Sequence, residues 1–124
     1  MLVRHIMTKK VVTAKQSVKV KDAIKTLFKR HVGSIVVLDN DKKCVGIFTE
    51  RDAIRVVAQN GSLSIPLGDV MTKNVLVVQE DATFQEARKI VLEHDIRHLP
   101  VVNSDGRLVG LIAVRNILNE FFKM

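Results

Sequence analysis

The sequence predicts an α+β fold built from two strand-helix-strand-strand-helix repeats packed with pseudo-twofold symmetry. Three observations carry that prediction. Shifted by 64 residues, the chain overlays itself without a gap, with 11 identities in 60 aligned positions. Met7-Thr8-Lys9 falls on Met71-Thr72-Lys73, and Val45-Gly46 falls on Val109-Gly110. Apolar residues recur at helical spacing at matching places in both halves. Polar turn sequences then split a pair of short apolar runs in each half, as in a hairpin.

Each element follows from its local pattern. Val11 to Thr13 and Val75 to Val78 read as short strands after the Met-Thr-Lys step. Val18 to Arg30 reads as a helix, with Val20, Ile24, Leu27 and Phe28 on its apolar face. Ala82 to His94 is its counterpart, through Phe84, Ala87, Ile90 and Val91. Ser17 and Asp81 are the expected N-caps. Ile35 to Leu38 pairs with Cys44 to Phe48 across Asp39-Asn40-Asp41-Lys42. Leu99 to Val102 pairs with Leu108 to Ile112 across Asn103-Ser104-Asp105-Gly106. Glu50 to Gln59 and Val114 to Phe122 close the halves as helices, and residues 60–66 join them. The repeats are expected at 1–60 and 61–124. A unit of about 60 residues has a thin core alone, so the two should share one and leave a cleft between them.

Composition narrows the classes. The 124 residues allow one compact domain or two very small ones. No apolar run approaches the roughly 18 residues a membrane span needs, and the N-terminus lacks a signal peptide's apolar core. A cytoplasmic protein is expected. The single cysteine, Cys44, excludes an intrachain disulfide and a cysteine-based zinc cluster. It reads as a buried structural thiol. The net charge of +7 is uneven: residues 1–60 carry a net +8 and residues 61–124 a net −1. Such a basic half attracts anionic partners or is simply a solvated face.

The stretch Gly46-Ile47-Phe48-Thr49-Glu50-Arg51-Asp52 marks a strand running into a helix. Thr49 and Asp52 stand three apart at the junction. On one reading they are a capping box, each side chain satisfying a free backbone N–H. On the other they hold a ligand: a helix N-terminus suits phosphate, and a carboxylate there accepts ribose hydroxyls. The second half has Ala113 and Asn116 at these positions.

The motifs Ile6-Met7-Thr8, Val45-Gly46-Ile47-Phe48-Thr49-Glu50-Arg51-Asp52, Arg97-His98-Leu99-Pro100-Val101-Val102 and Val109-Gly110-Leu111-Ile112 resemble those of the cystathionine-β-synthase (CBS) domain. Two in tandem resemble a CBS pair, or Bateman module, and the resemblance spans essentially the whole chain, as in a stand-alone module. It implies regulatory binding of an adenosine compound (AMP, ADP, ATP or S-adenosylmethionine) in the cleft between the repeats, with no catalysis and no required cofactor. It also implies a homodimer acting on a protein partner that the sequence does not name. By the resemblance, Thr49 contacts phosphate and Asp52 ribose, with Ile47 and Arg51 completing that side. The adenine lies against Val75 and Leu76, and Arg97, His98 and Pro100 line the mouth. The related cleft combines Ala113 and Asn116 with Val11, Val12, Ser34 and Ile35. Ala113 has no hydroxyl and Asn116 no charge, so this second site is expected to be weak or empty.

Other chemistries fit less well. None of His5, His31, His94 and His98 falls in a metal-site pattern such as H-E-x-x-H, and no catalytic triad is singled out. Lys21, Lys25 and Lys29 form a helical stripe flanked by Lys15, Lys19 and Arg30. It is either solvated or a footprint for sequence-independent nucleic-acid binding. The five Phe fall in apolar patterns, which argues against base stacking. Phe121, Phe122 and Met124 form an apolar tail, closing the last helix onto the core or joining a dimer.

Overall fold

Short apolar runs become strands, and the 3.6-residue stripes become helices, in the same order in both halves. The computed structural model describes residues 1–123, the side chain of Phe121 excepted. The first half holds β1 (Thr13–Ala14), α1 (Val20–Arg30), β2 (Ser34–Leu38), β3 (Cys44–Thr49) and α2 (Glu50–Ala58). The second holds β4 (Val78–Gln79), α3 (Phe84–His94), β5 (His98–Val102), β6 (Leu108–Ala113) and α4 (Val114–Phe122). Each half builds one three-stranded mixed sheet, in the orders β1-β2-β3 and β4-β5-β6. The first pair in each sheet is parallel and the second antiparallel. The registers match, with Val37 opposite Gly46 and Val101 opposite Gly110, and each hairpin slips by a bulge just beyond.

The helices begin two residues later than expected. Neither Ser17 nor Asp81 is an N-cap; Lys19 and Thr83 are. Thr83 forms a capping box with Glu86. Lys19 offers no side-chain cap. Instead the free amides of Val20 and Lys21 donate to the carbonyls of Ile65 and Leu63, both at 2.9 Å. A distant backbone segment satisfies the donors that a helix start leaves open, so no capping side chain is needed. β1 and β4 likewise start later than expected, at Thr13 and Val78.

The expected helix faces need one correction. Val20, Ala23 and Leu27 are buried, but Phe28 is 80% exposed. Leu27 sits in the middle of the buried stripe, and each residue turns about 100° around the axis, which carries Phe28 past its edge. Phe122 is exposed as well. The rest of the expected apolar tail, the Phe121 side chain and Met124, lies outside the described residues.

Packing divides the chain differently from the repeats. One compact unit is Val12–Val75; the other is Met1–Val11 together with Leu76–Met124. In the first, Leu67 and Met71 join Phe48, Ile35 and Val20 in the core. Residues 63–72 run along the unit through bridges of Lys19 with Pro66 and Ile47 with Thr72. In the second, Val3 packs with Leu99, Val101 and Ile112. Bridges of Leu2 with Thr83 and Thr8 with Leu111 hold the leading segment there. The segment that precedes each repeat in sequence thus packs with the other repeat.

The repeated Met and Gly motifs meet within these units. A side chain at Gly46 would collide with the Met71 sulfur, and one at Gly110 with the Met7 sulfur. Only glycine lets a thioether lie this close to the strand backbone.

Candidate functional site

In the Val12–Val75 unit the site is built at the turn from β3 into α2. β3 ends at Thr49, whose extended backbone (φ −114°, ψ 171°) makes it the N-cap of α2. The Thr49 hydroxyl accepts the Asp52 N–H at 3.3 Å, and the Thr49 N–H donates to Asp52 Oδ2 at 2.9 Å. The capping reading of this pair is therefore realised.

Asp52 does more than cap. It is only 6% exposed, and both carboxylate oxygens are engaged. Oδ2 also accepts the Thr49 hydroxyl at 3.1 Å. Oδ1 accepts Arg55 Nη2 at 3.2 Å and the Thr72 hydroxyl at 3.1 Å. Arg55 Nη2 in turn donates to the Val70 carbonyl at 2.7 Å. A buried carboxylate is tolerable because four donors, one of them the Arg55 cation, compensate it.

The residues predicted around this pair are distributed as follows. Ile47 is buried, and it exchanges two backbone hydrogen bonds with Thr72, at 3.0 and 2.9 Å. Arg51 is exposed on the first turn of α2. Ser34 lies opposite Thr49 across the β2–β3 pair and is buried, as is its neighbour Ile35. Val12 and Val75 are partly buried near the ends of the unit.

The equivalent turn in the other unit uses different chemistry. Asn116 Oδ1 accepts the Ala113 N–H at 2.8 Å, and Asn116 Nδ2 donates to the Ile6 carbonyl at 2.8 Å. One amide makes both ties. His98 lies opposite Ala113 at the start of β5, and Arg97 is exposed just before it. Pro100 is fully buried in β5, Leu76 is exposed, and Val11 is partly buried.

Sequence reasoning missed Arg55, Thr72 and the carbonyls of Val70 and Ile6. The Thr8–Thr72 identity in the Met-Thr-Lys motif was a signal for Thr72. Arg55 stands three residues beyond Asp52, a spacing at which helix side chains meet. Cys44 is half-buried; its Sγ lies 3.5 Å from the Gly46 carbonyl, and burial raises its thiol pKa above the ordinary value despite that contact. Among the described residues no group of three metal-ligating side chains gathers, and no helix is long and apolar enough to cross a membrane.

Comparison with known proteins places this architecture. The CBS domain family matches residues 3–59 and again 67–123, so the chain belongs to that family. It carries the domain twice, as a tandem CBS pair. An uncharacterised 17.7 kDa protein of Acidianus ambivalens is 37% identical over 93% of this chain and 70% of its own. Two further curated relatives are longer, and the chain spans 39% and 22% of their length. The CBS domain pair of protein MJ0100, in complex with 5′-methylthioadenosine and S-adenosyl-L-methionine, is 29% identical with a TM-score of 0.89, over 98% of this chain and 99% of that one. The CBS domain protein PAE2072 of Pyrobaculum aerophilum, complexed with AMP, is 26% identical with a TM-score of 0.89 over the full length of both.

Proposed function

We propose that this chain is a regulatory module that senses an adenosine-containing metabolite, AMP, ADP, ATP or S-adenosylmethionine. The observation that carries the reading is Asp52, a buried carboxylate at a helix N-terminus beside a Thr hydroxyl. That is the arrangement ribose and phosphate call for together. The AMP and S-adenosylmethionine complexes of PAE2072 and MJ0100 support it. The residues assigned to the ligand are Ile47, Thr49, Arg51, Asp52, Val75, Leu76, Arg97, His98 and Pro100. The second set, Val11, Val12, Ser34, Ile35, Ala113 and Asn116, is the weaker site. Bound ligand favours one conformation of the pair, and a protein partner reads it. A homodimer fits the apolar residues exposed on the helices: Phe28, Ile54 and Val57 in one unit, and Leu92, Leu118 and Phe122 in the other.

A thermal-shift screen of these ligands tests the reading. A ligand at 100 times its dissociation constant adds about 2.7 kcal/mol, enough to raise the melting point by several degrees. The shift is expected for the wild type and absent for Asp52→Ala. A shift that survives Asp52→Ala removes Asp52 from the site.

One observation favours a second reading, sequence-independent nucleic-acid binding. Phe28 stands exposed among Lys21, Lys25, Lys29 and Arg30 on α1, where a base could stack beside neutralised phosphates. Lys21→Glu with Lys25→Glu abolishes duplex or single-strand binding on that reading and leaves adenosine binding intact.

A further inference from the structure

The Asp52 carboxylate offers about four lone-pair positions, and its own chain fills them. The four donors are the Thr49 N–H, the Thr49 hydroxyl, Arg55 Nη2 and the Thr72 hydroxyl. A ribose hydroxyl reaches this carboxylate only by displacing one of them.

The four are not equally held. The Thr49 N–H is fixed in the backbone at the start of α2. The Thr49 hydroxyl also accepts the Asp52 N–H, so moving it opens the capping box. Arg55 is pinned by the same Nη2 to the Val70 carbonyl, 2.7 Å away. Thr72 is an exposed residue held to the unit by its backbone pair with Ile47. Its hydroxyl can therefore turn to water while the chain stays in place.

The equivalent junction shows what Arg55 is for. Asn116 accepts from the helix start and donates to the Ile6 carbonyl by itself. A carboxylate has no proton to donate, so Asp52 cannot make that second tie to Val70. Arg55 makes it instead, and Asn119 stands at the corresponding place in the other half. A negative group at this junction requires a cation beside it; an amide does not.

We propose that the Thr72 hydroxyl competes with ligand for the Asp52 carboxylate, and that ligand binds by displacing that hydroxyl while Arg55 keeps the carboxylate in position. Thr72 is thus a positioning residue that sets affinity by competition. The proposal rests on the adenosine reading of the preceding section.

Titration calorimetry with AMP, and separately with S-adenosylmethionine, tests it on the full chain. Thr72→Val keeps the shape and removes the competing donor, so the ligand that binds the wild type binds roughly fivefold tighter, the worth of one ordinary hydrogen bond. Thr72→Ala moves affinity the same way, and Thr72→Ser restores the wild-type value. A purely structural role for Thr72 would weaken binding instead. If Asp52→Ala abolishes binding while Thr72→Val and Thr72→Ala bind no tighter than the wild type, this inference is overturned and the adenosine site stands. If the wild type binds neither compound, or Asp52→Ala binds as well as the wild type, the adenosine reading fails and takes this inference with it.

Discussion

A double-mutant cycle on Met7 and Gly110 tests the exchange of leading segments between the repeats. A Cβ at residue 110 would collide with Met7 Sδ and stand 2.8 Å from its Cγ and 3.0 Å from the Thr8 carbonyl. The methionine side chain can swing away, but the Thr8 carbonyl is fixed by its hydrogen bond from Leu111 at 2.9 Å. Gly110→Ala is therefore expected to cost about 2 kcal/mol, the middle of the range for overpacking. Unfolding entropy scales with length, so for this chain each kcal/mol moves the melting point by about 4 °C. Met7→Ala removes the colliding side chain, so in its background Gly110→Ala costs about 1 kcal/mol less. The control is Gly46→Ala, whose added Cβ has three Met71 side-chain atoms as its nearest neighbours. Met7→Ala should leave that cost unchanged, and Met71→Ala should relieve it. Urea midpoints for the set give all the differences. If Met7 relieves Gly46 and not Gly110, each leading segment packs with its own repeat and the exchange is wrong.

Two further outcomes follow from the site. Arg55→Ala should destabilise the protein by about 1 kcal/mol, a modest figure because the Arg55 side chain is 43% exposed and its ion pair is screened. In an Asp52→Asn background the same change should cost less than half as much, since the amide reaches the Val70 carbonyl as Asn116 reaches Ile6. Equal costs in denaturant melts would refute that equivalence. For Cys44, the raised thiol pKa puts alkylation by iodoacetamide at higher pH than for the unfolded chain. The folded state holds this proton more tightly, so the stability linked to it is full below the ordinary thiol range and falls as pH climbs through that range. A pH–rate profile matching that of the unfolded chain would contradict the burial.

Most elements were legible because their signals are local. The apolar run ending at Phe48 and the Thr49–Asp52 spacing place the β3–α2 turn without tertiary information. The start of α1 was misread because its cap is a backbone segment more than forty positions away in sequence, and propensity sees only neighbours. Phe28 was misplaced because the window that holds Val20, Ile24 and Leu27 does not fix the edge of the buried stripe. Self-comparison found the repeats, yet it is silent on which copy a segment packs with, so the pairing of Met7 with Gly110 was hidden. Asp52 was visible as a candidate, but its burial and the Arg55 and Thr72 partners depend on contacts that only the fold creates.

The exchanged segments also set an order of assembly. Val12–Val75 is continuous, so everything it needs has left the ribosome before most of the second repeat emerges. The other unit is split, and its leading residues wait for partners between Glu80 and Asn116 to emerge. Closing so long a loop in a flexible chain costs on the order of 4 kcal/mol. A folded insert shortens the effective loop and lowers that cost. The continuous unit thus acts as a template in time: it forms first, and its completion makes the second closure cheaper. Refolding should show a fast phase reported by the Val12–Val75 core and a slower one reported by Val3 and Met7.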